Sequence, residues 1–112
     1  MKKNVEIFLK HILEAINLIE EYVKDKEKSD FLKSVQLQDS VIRRIEIIGE
    51  AIKNIPKEFK GIHEDVPWKA ITGMRDILIH QYFGVDLDLT WEVIKIDLPK
   101  LKKSIISLIN ES

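Results

Sequence analysis

Fifteen lysines and three arginines, Arg43, Arg44 and Arg75, make up the basic residues of this 112-residue chain. With lysine as the surface default, an arginine marks a place where a planar, permanently charged fork is useful. Arg75 has the most unusual setting. At 100° per residue, Trp68, Ile71, Arg75, Ile79 and Tyr82 share one face of a helix, Met74 and Leu78 flank it, and Ile77 lies opposite. A guanidinium in so apolar a surface needs either a carboxylate, such as Glu46 or Glu50, or an anionic ligand. His80 follows five residues later, about 140° around the axis and about 7.5 Å along it. On an unbroken helix the two would not converge on one atom. A single reaction centre therefore requires that the helix loosen before His80, or that two subunits bring their arginines and histidines together across a two-fold axis. A helix apolar nearly all round favours the second arrangement, because a bundle this small cannot cover it alone. Read singly, His80 is a packed residue near a helix C-terminus, where its charged form is stabilised, and Tyr82 is a core aromatic with its hydroxyl at the surface.

The elements that must position these residues follow from apolar spacing. Val5, Phe8, Leu9, Ile12, Leu13, Ile16, Ile19 and Val23 recur at three- and four-residue steps and predict a first helix from about Val5 to Lys24. The charged run Lys24 to Asp30 reads as a turn. Ser34 is placed to cap a second helix whose stripe is Val41, Ile45, Ile48, Ile52 and Ile55, and Pro56 stops it. Gly49 inside that helix costs about 1 kcal/mol against alanine and implies a close crossing. Residues 57–66 read as a connector. Pro67 then opens the motif-bearing helix at a position that tolerates a missing N–H, and Gly84 ends it near Tyr82. Asp86 or Asp88 caps a fourth helix, Leu87 to about Ile96, and Leu98 to Asn110 is either a fifth helix started by Pro99 or a kinked continuation. No strand alternation occurs. The expected architecture is an all-α, antiparallel four- to five-helix bundle, one domain over residues 1–112, paired as a homodimer.

Composition narrows the function. With 45% hydrophobic and 33% charged residues the chain folds instead of remaining disordered. A net charge of −1 argues against a general nucleic-acid coat and leaves room for a local basic patch. No apolar run reaches the roughly 20 residues of a membrane span, and the first residues lead straight into an amphipathic helix, so a cytoplasmic location is expected. The absence of cysteine removes thiolate chemistry and cysteine-ligated zinc. His11, His63 and His80 are scattered, without the paired spacings that helical bundles use for metals, so no metal site and no cofactor are expected.

Residues 74–82, Met-Arg-Asp-Ile-Leu-Ile-His-Gln-Tyr, read Arg-x4-His-x-Tyr and resemble the signature of HEPN ribonucleases, in particular HepT-like toxins. Asp76 fits the polar residue that the family places after the arginine. Ile47 to Ala51, Pro67-Trp68, Tyr82 to Asp86, Trp91 and Asp97 to Leu101 resemble the same family in the same order, over about the last two-thirds of the chain. The resemblance implies a homodimeric toxin of a type VII toxin–antitoxin system, an endoribonuclease needing no metal, with Arg75 and His80 catalytic and Asp76 supporting. Arg75 would hold the scissile phosphate through bidentate hydrogen bonds. His80, whose imidazole has a reference pKa of about 6.5, would transfer protons at the ribose 2′-OH or the leaving 5′-oxygen. It also implies a nucleotidyltransferase antitoxin of the MntA type, in a hetero-oligomer with the toxin, that places AMP on Tyr82 and so sets bulk and negative charge beside Arg75. The competing reading is a non-catalytic helical subunit that binds nucleotide or substrate for a two-component nucleotidyltransferase. Trp68 and Trp91 read as packing anchors, Arg43 with Glu46 and Glu50 as a solvated charge network, and Arg44, at the border of the apolar stripe, as a surface residue in preference to one lining an RNA groove.

Overall fold

The apolar stripe of the first segment produces a 21-residue helix, α1 (Lys3–Val23), in the computed structural model, which describes residues 3–69, 71–73 and 86–111. Val5, Leu9, Ile12, Ile16, Ile19 and Val23 are all buried, while Glu6 and Lys10 on the wet face pair at 3.1 Å. The helix ends where Asp25 takes a left-handed conformation, φ 60°, which a short polar side chain tolerates. Lys26 N–H then returns to the Val23 carbonyl at 2.9 Å.

The charged run does not stay a turn. Its last residues open a six-residue helix, α2 (Lys28–Lys33), which starts with a capping box between Glu27 and Asp30. The reason is Phe31, which is fully buried and tilts against Trp91 with ring centroids 5.5 Å apart. Ser34 closes α2 and caps α3 (Val35–Asn54), its hydroxyl accepting from Leu37 N–H at 3.1 Å, as its position in the sequence predicts. The amide of Gln38 donates back to the Phe31 carbonyl at 2.9 Å and locks the junction. Val41, Ile45, Ile48, Ile52 and Ile55 are buried against α1, and Gly49 is buried with them.

Past Pro56 the expected connector is partly helical. α4 (Lys57–Ile62) starts at the proline, whose missing N–H does no harm there. Residues 68–69 and 71–73 are helical, as expected after Pro67. The continuation to Tyr82 and the end at Gly84 lie outside the described residues.

Asp86 caps α5 (Leu87–Glu92), its carboxylate accepting from Leu89 N–H at 3.0 Å. Without a break, α5 passes through a π-helical turn, Val93–Asp97, into α6 (Leu98–Asn110). In that turn Leu98 N–H reaches the Val93 carbonyl, five residues back. Of the two sequence readings, the continuation is the one found. Pro99 has no N–H to extend an α ladder, which locates the irregularity. Leu98, Leu101, Ile105 and Leu108 are buried, and α6 packs on α1, where Lys102 and Glu20 pair at 2.6 Å. The fold is an all-α helical bundle. Among the described residues no helix is long and apolar enough to cross a membrane.

Candidate active site

Arg75, Asp76, His80 and Tyr82 lie outside the described residues, as does the all-round apolar surface of residues 74–82 on which the expectation of a dimer rests. Their frame on both sides is described. Upstream, Trp68 is 6% and Ile71 3% exposed, so the face that these two share is turned into the chain's own core at the start of the helix. The indole N–H of Trp68 donates to the His63 carbonyl at 3.0 Å, which ties the helix start to the end of α4. The Thr72 hydroxyl donates to the Trp68 carbonyl at 3.1 Å, a bond that keeps a polar side chain within the helical turn. Downstream, the Asp86 carboxylate caps α5 and its backbone carbonyl accepts from the buried Thr90 hydroxyl at 2.7 Å. The chain therefore enters the motif at one anchored residue and leaves it at another.

The carboxylates considered as partners for Arg75 lie among the described residues, though Arg75 itself does not. Glu46 lies 3.7 Å from Arg43 in an exposed pair, the solvated network that the sequence suggests, and Glu50 is exposed. Asp86 and Asp88 stand at Asp-x-Asp spacing, but the first is a helix cap and the second pairs with Lys28 at 2.8 Å. Trp91 packs on Phe31 beneath the Lys95 ammonium, 4.9 Å from its ring, and Trp68 is buried; both are the packing anchors expected of them.

Arg44, which the sequence places at the border of the apolar stripe, is not fully exposed. It is half-buried, its Nε is enclosed without a hydrogen-bond partner, and it shares a shallow pocket of ≈ 240 Å³ with His11, Glu14, Ala15 and Ile47. No pattern in the sequence places His11 beside it, because α1 and α3 meet there from positions far apart along the chain. His63 packs against Phe59 in a tilted arrangement with centroids 4.5 Å apart. Among the described residues no group of three or more His, Cys, Asp or Glu side chains could hold a metal ion.

Comparison with known proteins gives this frame a context. A family model described as "Ribonuclease HepT-like" matches residues 12–108. Over 111 residues the chain is 62% identical to a Methanocaldococcus jannaschii protein named "Gamma-glutamylcyclotransferase and putative RNase", a match covering 99% of this chain and 50% of that one. The chain thus spans half the length of that relative. It is 49% identical over 102 residues to a Thermococcus cleftensis protein named "Probable ribonuclease HepT", covering 91% of this chain and 93% of the relative. A Caldanaerobacter subterraneus protein named "Putative RNase" is 45% identical over 104 residues, with 93% of each chain covered. No solved structure matches the chain.

Proposed function

The chain belongs to the HepT-like ribonuclease family, and from that premise we propose that it is the toxin of a toxin–antitoxin pair, cutting RNA without a metal at a site shared by two copies. Residues 1–112 act as one domain. In the shared cleft Arg75 holds the scissile phosphate with paired N–H donors and stabilises the charge that develops on it. One His80 imidazole takes the proton from the ribose 2′-OH as that oxygen attacks phosphorus. A protonated His80 gives a proton to the departing 5′-oxygen as the P–O5′ bond breaks. The products are a 2′,3′-cyclic phosphate and a 5′-hydroxyl. Asp76 supports Arg75. A nucleotidyltransferase antitoxin joins AMP to the Tyr82 oxygen, releasing pyrophosphate from ATP, and the added charge and bulk exclude RNA.

The observation that carries the reading is the family match over residues 12–108, which includes the whole Arg-x4-His-x-Tyr segment. The deciding experiment incubates purified wild type, Arg75→Ala and His80→Ala with single-stranded RNA in excess EDTA. Cleavage to cyclic-phosphate ends by the wild type alone is the expected result. No cleavage by the wild type, or equal cleavage by both variants, refutes it. Mass spectrometry of the Tyr82 peptide after expression with and without the chromosomal neighbour tests the modification, which Tyr82→Phe should abolish.

A further inference from the structure

Between α4 and the start of the motif-bearing helix runs an open groove of ≈ 760 Å³. Lys57, Lys60 and Lys69 line it, with Glu64 as the one acidic side chain, and Trp68 and Thr72 form its inner end. Three ammonium groups against one carboxylate make this a local cationic tract in a chain whose net charge is −1. Its lysines are also available. Lys10, Lys28 and Lys102 are tied to carboxylates at 2.6–3.1 Å. None of the three groove lysines has a carboxylate partner among the described residues. Lys60 is held in place by a different bond: its stem is half-buried, and its ammonium donates to the Ile52 carbonyl at 3.2 Å near the C-terminal end of α3. That bond uses one of its three N–H donors and leaves the charge uncompensated.

We propose that this groove is a binding track for the backbone of single-stranded RNA on the approach to the scissile phosphate. The inference rests on the ribonuclease reading and adds to it where the strand lies. The groove ends at Thr72, three residues before Arg75, so the tract and the phosphate-handling arginine follow one another along the same segment. Its volume falls among sites for drug-sized ligands, about 300–1,000 Å³, which is room for nucleotide units and more than a lone ion requires. An unpaired strand is the matching form, because its sugars and bases can splay away from helical stacking, as attack by the 2′-OH requires. Unpaired lysines along an open channel are how single strands are tracked without regard to sequence.

The test measures anisotropy of a labelled 12-nucleotide RNA with His80→Ala protein, which keeps the strand intact. Lys57→Gln/Lys69→Gln is compared with Lys100→Gln/Lys103→Gln, which makes the same charge change at exposed lysines elsewhere. The groove variant should lose about tenfold in affinity at about 100 mM salt, and its log–log salt slope should fall by about 1.4, or about 0.7 for each lost phosphate contact. The control should change by less than twofold. Equal behaviour of the two variants, or no binding by the parent protein, overturns the proposal. So does an affinity loss that accompanies dissociation of the protein into monomers, since the groove would then be a contact between copies. Wild-type RNA cleavage is scored separately. Cleavage with a silent groove variant sinks only the track, and lysine-dependent binding without cleavage sinks only the nuclease.

Discussion

Trp68→Phe tests whether the entry to the motif is anchored as the structure describes. The substitution keeps an aromatic ring at a site 6% exposed, but removes the indole N–H that donates to the His63 carbonyl at 3.0 Å. That carbonyl still accepts from Val66 N–H at 3.2 Å, so it is weakened and not orphaned, and the lost bond is worth about 1 kcal/mol. The smaller ring also leaves a void. Full truncation of a buried aromatic costs about 3–5 kcal/mol, and the part removed here should cost about 1–2 kcal/mol. The sum, about 2–3 kcal/mol, is measurable by urea unfolding at fixed protein concentration. With a slope of about 1.5 kcal/mol per molar, within the range for small domains, the midpoint should fall by about 1.3–2 M with the slope unchanged. A fall below about 0.3 M would mean that Trp68 does not pin the helix start and that the entry to the motif is not fixed there.

Asp86→Ala removes the cap on Leu89 N–H and should cost about 1 kcal/mol in the same assay, whereas Asp86→Asn should retain most of the stability. Asp88→Asn, which breaks an exposed pair with Lys28, should change stability by less than about 1 kcal/mol, and raising the salt should erase the difference. Arg44→Met keeps the packed stem and eliminates a buried Nε with no partner; thermal unfolding should show no loss of stability or a gain of about 1 kcal/mol. A marked loss would show that the Arg44 charge is compensated in solution.

Long periodic stripes are legible in the amino-acid sequence itself. Most of the buried positions of α1 and α3 are those that three- and four-residue spacing picks out, with Phe8 and Leu13 half-buried and Ala15 and Ala51 buried beside the stripes, and Ser34 caps where a cap is required. Short helices are not legible, since six residues hold fewer than two turns and show little periodicity. For α2 the usable signal is Phe31, a lone aromatic amid charges, which only a tertiary partner such as Trp91 can bury. For α4 it is Pro56 followed by a charged pair and half-buried Phe59. Reading α4 as a connector also hides the lysine groove, because Lys57 and Lys60 meet Lys69 only once that segment turns as a helix. The motif itself is legible by resemblance. Its spacing alone leaves the Arg75–His80 geometry open, because a helix separates residues five apart and only pairing or unwinding reunites them.

The wide turn at Val93–Asp97 has a consequence for chain length. Thr90, Val93, Ile94, Leu98, Leu101, Ile105 and Leu108 all reach the interior, and the turn from Val93 to Leu98 carries one residue more than a regular α-turn. The π turn absorbs that surplus residue, so both flanks keep their phase. Excising exposed Lys95 would give up its contact with Trp91 and leave the buried positions of both flanks at the three- and four-residue steps of a plain α-helix. At this turn a codon can be lost without turning an oily face to water.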